Sequence, residues 1–268
     1  MPGDGIGNDV MEATKLVLDK LNFDAEYVHA DIGWEFWCSE GDALPARTIE
    51  TLGTVDAALF GAITSKPKEE AQAELAPEFQ SQNLTYQSPI VRLRQQFNLA
   101  TNLRPCKGYP GNPLNYKDDI DLVVFRENTE DLYVGVEYHP VPESLSAELS
   151  KHPKWARFIE KAPLEDIAVS LRINTREGCR NIITAAFEYA KKFNYPTVTI
   201  VEKPNVVRET SGLMVRTARE VAKNYPGIDW ATAEGAAAAG GTGKGTRAEG
   251  IAAELQWTRG RLVDEESA

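Results

Sequence analysis

The stretch Ile120-Asp121-Leu122-Val123-Val124-Phe125-Arg126-Glu127-Asn128-Thr129-Glu130-Asp131-Leu132-Tyr133 sets a short apolar run directly against a polar one. The apolar run reads as a strand and the polar run after it as a loop. The same grammar repeats on both sides. Downstream, 167–173 reads as a strand and 174–193 as a helix with Ile182, Ile183, Ala186, Phe187 and Ala190 on one face. Residues 197–201 then read as a β-branched strand, and 209–224 as a helix stopped by Tyr225-Pro226-Gly227. Upstream, 7–22 reads as a helix striped by Val10, Met11, Thr14, Val17, Leu18 and Leu21, followed by a strand at 25–32. Pro45 opens a short helix over 45–52, and 56–63 reads as a buried strand. Residues 88–98 read as a helix and 100–107 as extended. Such alternation predicts an α/β protein with helices and mostly buried strands. Residues 136–165, which carry Pro140, Pro142, Pro153 and Pro163, show no clear period and read as an excursion used for contacts.

Length and composition bound the function classes. The 268 residues are 42% hydrophobic and 26% charged, which suits a globular protein and excludes a disordered or fibrous one. Twenty-nine basic against 40 acidic residues give a formal charge of −11, which argues against nucleic acid or anionic lipid as a partner. No apolar run reaches the length of a transmembrane helix, and the first residues have neither the basic nor the apolar region of a signal peptide. Cys38, Cys106 and Cys179 are odd in number and far apart; they read as reduced thiols in a cytoplasmic compartment. No CxxC pair or other metal-ligand set is found, so no metal residue is assigned. From 233 to 250, twelve of 18 residues are Ala or Gly with no large apolar residue, so the tail is expected to be poorly ordered.

Two glycine motifs fail on inspection. Gly3-Asp4-Gly5-Ile6-Gly7 has its third glycine one residue too early for a dinucleotide fingerprint and lacks the strand before it. In Gly243-Lys244-Gly245-Thr246, a glycine separates the Lys from the Thr, and the upstream P-loop glycine is Ala238. The arginines say more. Arg94 lies on the 88–98 helix, Arg104 in Asn102-Leu103-Arg104-Pro105, and Arg126 at the end of a strand. Guanidinium forks at such places suit a substrate with two or three carboxylates. The plainer alternative is ion pairing with the many acidic residues. Tyr133 lies in the loop, where chemistry is often carried, although a lone Tyr reads more simply as a packing residue; Lys203, after the 197–201 strand, reads as a solvated charge or a proton-transfer group.

In order along the chain, GDGIG (3–7), LFGAIT (59–64), SPIVRLR (88–94), NLRP (102–105), VVFRENTEDLY (123–133) and EKPNVV (202–207) resemble the isocitrate/isopropylmalate family of β-decarboxylating dehydrogenases, from Pro2 to about Tyr225. The resemblance implies a two-domain α/β fold. Residues 1–99 would be part of a large cofactor domain. Residues 100–230 would form a smaller substrate and dimerisation domain with 136–165 in an intersubunit clasp, and 231–268 a divergent tail. It implies oxidation of a 2-hydroxy acid with NAD or NADP, then loss of the β-carboxylate with the help of Mg or Mn. Arg94, Arg104 and Arg126 would clamp carboxylates. Tyr133 would protonate the enol carbon, and Lys203, from the neighbouring subunit in family members, would move the hydroxyl proton with Asn205 beside it. Thr64 would approach the nicotinamide. Ser88 resembles the serine that meets a carboxylate in isocitrate enzymes, and the polar Gln87-Ser88 pair favours isocitrate, then homoisocitrate, over isopropylmalate.

The family pattern also has a strand before GDGIG, an Asp offered across the dimer, a GD-x-x-SD-type metal motif and an HG-x-AP adenosine loop, none of them found in this sequence. The expectation is therefore an incomplete version of the fold: a truncated or frame-shifted fragment, or a paralogue that binds carboxylates or associates with a complete subunit without catalysis. Exposed apolar surface is expected beside the position of the first strand.

Overall fold

The computed structural model describes residues 1–117 and 119–233. They form two compact units, Met1–Asn98 and a second that begins at Leu99.

The first unit is built from α1 (Ile6–Lys20), α2 (Trp34–Glu40), α3 (Ala46–Leu52), α4 (Lys68–Ala73), α5 (Pro77–Gln80) and α6 (Pro89–Gln96). Its core gathers Trp34, Trp37, Ala43, Ala71 and Leu75, with Tyr86 packed on both indoles at 5.1 and 5.3 Å. Each indole N–H is satisfied, Trp37 by the Ala71 carbonyl at 2.8 Å and Trp34 by Glu74 at 2.6 Å. A second cluster joins Ile32, Leu44 and Leu93 of α6.

Two expected strands do not form here. Residues 25–32 make no ladder, and 56–63 keeps one parallel bridge, Gly3 with Ala62. A strand needs a partner of similar length. Its neighbour is the short Met1–Asp4 segment: Gly61 N–H bonds the Met1 carbonyl at 3.0 Å, Ala62 N–H the Pro2 carbonyl at 3.1 Å, and Asp4 N–H the Ala62 carbonyl at 2.7 Å. The α1 helix forms where its period placed it, yet half of its stripe is left open. Val10, Val17 and Leu21 are 47%, 58% and 70% exposed, and Phe60 and Leu59 are also uncovered.

The second unit starts with an antiparallel ribbon of β1 (Thr101–Lys107) and β2 (Asp121–Glu127), paired Thr101 to Glu127 through Lys107 to Asp121. The excursion is more ordered than its sequence suggested. It holds β3 (Glu137–Tyr138), α7 (Glu143–Leu149) and α8 (Ala156–Ile159). Elements this short show no period, and Pro142 stands just before α7 as its N-cap. The expected 167–173 strand shrinks to β4 (Val169–Ser170), paired with β3.

Next comes α9 (Arg176–Phe193), N-capped by the Thr175 hydroxyl and closed by Asn194 in the left-handed region. A βαβ unit follows: β5 (Thr197–Ile200), α10 (Arg208–Ala222) and β6 (Asp229–Thr232), with β6 parallel to β5. The core lies between α9, β5 and α10: Ile182, Ile183 and Phe187 with Val198, Ile200, Ala218 and Val221, against which Phe125 packs. Tyr225, in the stop signal after α10, stacks on Phe187 at 5.0 Å and donates to Glu188 at 2.6 Å.

Among the described strands, the buried positions are Val198 and Ile200; the rest are half-buried or exposed, because two-stranded pairs leave a face or an edge open. The tail expectation for 231–268 falls, beyond Ala233, outside the described residues.

All three cysteines are free. Burial, reinforced by the Glu130, Glu202 and Glu127 carboxylates, pushes the Cys179 thiol up to about 11, whereas Cys106 is exposed. At pH 8 an aromatic disulfide reagent is expected to titrate Cys106 rapidly and to reach Cys179 only after unfolding in denaturant. Rapid modification of Cys179 in the native chain, located by mass spectrometry, would show that the α9 core opens.

Candidate active site

In the first unit, Asp4 of the glycine motif is a hub. Its carboxylate accepts from Trp34 N–H at 2.7 and 2.8 Å, from Glu35 N–H at 3.2 Å and from Thr64 N–H at 3.0 Å. It thus caps the first turn of α2, where a negative charge meets the helix dipole, and holds the Thr64 loop. Gly33, at φ 125°, makes this possible: a Cβ there would stand 2.5 Å from both Asp4 oxygens. Tyr86 supports the same loop, its hydroxyl 3.0 Å from Ser65 Oγ and 3.4 Å from the Thr64 carbonyl.

On α6, the two arginines of SPIVRLR separate. Arg92 is spent on structure, paired with Asp42 and reaching the Leu44 carbonyl at 3.4 Å. Arg94, half-buried, has no ion pair among the described residues. Ser88 is the N-cap residue of α6, but its side chain makes no cap hydrogen bond.

In the second unit, the RENTEDLY loop sorts into residues that hold it and residues it leaves free. Glu127 closes the turn, accepting from Thr129 N–H and Oγ1 at 2.9 and 2.8 Å and from Glu130 N–H at 2.7 Å. Asn128 donates to the Leu99 carbonyl at 3.0 Å. Glu130 reaches the start of α9, accepting from Thr175 N–H at 2.8 Å and Thr175 Oγ1 at 2.5 Å. Asp131 accepts from Leu132 N–H at 2.7 Å and from Arg172 Nε at 2.7 Å.

With its acids engaged in this way, the loop brings two candidate residues together. The Arg126 guanidinium lies over the Tyr133 ring, 4.4 Å from its centroid. Neither Arg126 nor Arg104 has an ion pair among the described residues; Arg104 donates to Asn102 at 3.1 Å. The register pairs Asn102 with Arg126 and Arg104 with Val124, which sets Arg104 and Arg126 on one face of the ribbon as a diagonal pair. Such neighbours stand about 7–8 Å apart. Lys203 and Asn205 lie in the exposed loop after β5, and no hydrogen bond or ion pair joins either side chain to Tyr133.

The sequence reading missed Arg172, Glu202 and Ser211. Arg172 Nη2 meets Glu202 at 3.2 and 3.3 Å and its Nη1 lies 3.4 Å from Ser211 Oγ, while Ser211 donates to Glu202 at 2.5 Å. Burial works against the Arg172 charge, but the hydrogen bond to Asp131 and the charges of Glu202 and Asp131 outweigh it and hold the guanidinium more firmly protonated than usual. One signal was present: an Arg within an otherwise apolar strand pattern needs a buried acid to meet it.

The chain can be compared with known proteins on this footing. The model of the isocitrate/isopropylmalate dehydrogenase family matches residues 1–233. The chain is 39% identical over 229 residues to a 3-isopropylmalate dehydrogenase of Methanothermobacter thermautotrophicus, covering 85% of this chain and 56% of that protein. It is 35% identical over 232 residues to a homoisocitrate dehydrogenase of Methanocaldococcus jannaschii, covering 83% and 56%. The crystal structure of isocitrate dehydrogenase from Methylococcus capsulatus superposes with a TM-score of 0.68 at 28% identity, over 87% of this chain and 59% of that one. The chain thus spans little more than half the length of these relatives. It shares the isocitrate dehydrogenase fold and belongs to the isocitrate/isopropylmalate dehydrogenase family of β-decarboxylating dehydrogenases.

Proposed function

We propose that this chain carries the substrate-binding part of an NAD- or NADP-dependent oxidative decarboxylase acting on a 2-hydroxy di- or tricarboxylate, isocitrate first and homoisocitrate next. One observation carries the reading: Arg104 and Arg126 stand on one face of the β1–β2 ribbon, Arg126 over the Tyr133 ring, and they, like Arg94, have no ion pair among the described residues in a chain of charge −11, a condition they share with Arg157, Arg208, Arg216 and Arg219. Unpaired forks among so many carboxylates are suited to carboxylates brought by a ligand. In this reading the arginines orient the acid and Ser88 contacts one carboxylate. Lys203, with Asn205 beside it, accepts the hydroxyl proton from a neighbouring subunit of at least a dimer. Tyr133 returns a proton to the enol carbon. Thr64, on the loop held by Asp4, is the contact assigned to the nicotinamide end. With three free thiols, we place the protein in the cytoplasm.

The family is in general NAD(P)- and divalent-metal-dependent, and the metal supplies Lewis-acid stabilisation of the enolate when bound. Among the described residues, no group of three or more His, Cys, Asp or Glu side chains stands together as a cation site. The Gly3–Gly7 loop does not fit a pyrophosphate cradle either. A Cβ at Gly3 would stand 1.9 Å from the Ala62 carbonyl, and one at Gly7 would stand 2.2 Å from that of Pro2; these glycines admit backbone. Among the described residues, none is assigned as a ligand of Mg or Mn.

The test is calorimetric titration of the full chain with isocitrate, homoisocitrate and 3-isopropylmalate, beside a spectrophotometric assay with each acid, NAD or NADP, and Mg or Mn. Binding is expected, strongest for isocitrate, and Arg126→Lys should weaken it about tenfold, the equivalent of about 1.4 kcal/mol. No binding and no turnover with any of the three would sink the proposal. A second reading, carboxylate binding or subunit association without catalysis, is favoured by the exposed apolar residues of α1 and by the lack of a cation site among the described residues. Binding without turnover would select it for this chain.

A further inference from the structure

We propose that Arg172 is a positioning residue that fixes the loop of Tyr133 and the loop of Lys203 relative to one another. The inference rests on the functional reading above for the roles of those two residues, but its geometry is independent of it. A single guanidinium holds both loops. Its Nε and Nη2 meet the same Asp131 oxygen at 2.7 and 2.6 Å, and its Nη2 also meets both oxygens of Glu202. Asp131 stands two residues before Tyr133, and Glu202 directly before Lys203. Ser211, fully buried on α10, closes the junction by donating to Glu202.

The Asp131 end is strained. Its φ of 67° and ψ of −142° form a backbone conformation that a side chain rarely adopts. Such a conformation persists only where its surroundings over-determine it. Three contacts do so: the Arg172 pair, the Asp131 N–H to Ile173 carbonyl bond at 2.8 Å, and the side-chain cap on Leu132. The next turn, Leu132–Val134, is a single 3-10 turn that carries Tyr133 under the Arg126 guanidinium. Removing Arg172 leaves that turn without its main side-chain anchor, and leaves two acids facing each other.

The test uses the full chain with 3-fluorotyrosine at position 133, read by fluorine NMR, beside kcat and KM where the chain turns over. Arg172→Met is compared with Arg180→Met, whose guanidinium, among the described residues, makes loose ion pairs with exposed Glu177 and Glu220 at 3.7 and 3.8 Å. Arg172→Met is expected to move and broaden the Tyr133 line while the chain stays folded by circular dichroism. It should lower kcat by about tenfold or more with KM changed less than about threefold, since a displacement of about an ångström costs far more in turnover than in affinity. Arg180→Met should leave the line in place. Should Arg172→Met fail to fold, Arg172→Lys carries the same test, because it keeps the charge and loses the fork. An unchanged Tyr133 line in a folded Arg172 variant overturns the proposal. If the wild type shows neither binding nor turnover, the functional reading fails, and the fluorine line still decides the role of Arg172.

Discussion

Tyr133→Phe is expected to lower kcat for the hydroxy acid by about 10²–10⁴-fold, the range for loss of a positioned acid or base, while the affinity for the acid stays within about threefold. The split follows from the geometry. The substitution removes one oxygen and keeps the ring that lies 4.4 Å from the Arg126 guanidinium, so the cation–π contact, worth about 0.5–1 kcal/mol at an exposed site, survives and Arg126 stays in place. Tyr133 is 50% exposed, so little packing is lost with the hydroxyl. Arg126→Ala should do the reverse, weakening binding first. Steady-state kinetics beside calorimetry separates the two. Equal losses in kcat and affinity on Tyr133→Phe would return Tyr133 to a packing role.

Asp4→Ala should destabilise the first unit by about 4 kcal/mol. Backbone N–H groups of Trp34, Glu35 and Thr64 lose an ionised acceptor, each such bond being worth about 1.5–3 kcal/mol, and the Trp34 donor is left in a largely buried place. The loss is of the order of a small domain's entire stability. Asp4→Asn, which keeps one acceptor oxygen and loses the charge, should cost about half as much. Urea unfolding followed by tryptophan emission reads the effect, because Trp34 and Trp37 report the first unit. A change below about 1 kcal/mol for Asp4→Ala would mean that water satisfies these donors and that the motif does not organise the unit.

Local signals in the sequence carry some of these elements and not others. The α9 helix is legible from its continuous apolar face, and the Thr175 cap and left-handed Asn194 seen in the structure agree with it. Arg126 is legible at the end of a strand and Tyr133 in the loop after it, although their stacking is not, since it depends on the turn that Asp131 strains. The strands at 25–32 and 56–63 are over-read. The composition of 56–63 is that of a buried strand, but strand formation is decided by a partner far away in sequence, and among the described residues it is Met1–Asp4 that bonds to 59–62. Arg172 itself carries a signal, but its partners are not legible for the same reason, as the junction joins positions 131, 172, 202 and 211. Asp4 reads as part of a failed cofactor motif, where its use is mechanical: the glycines around it let backbones touch, and the acid ties three of them together.

The uncovered part of the α1 stripe has a consequence for how the chain behaves as a solute. Ile6, Val10, Val17 and Leu21 offer water an oily strip, and contact between two such strips is favoured at any pH. What opposes it is the formal charge of −11, which keeps molecules apart through a repulsion whose reach is set by dissolved ions. That reach is about 30 Å at 0.01 M salt and about 8 Å at 0.15 M. Colloidal stability of this chain is therefore borrowed from its acidity: it is greatest in dilute buffer above the isoelectric point near 4.9 and is withdrawn as salt is added or acid neutralises the surface.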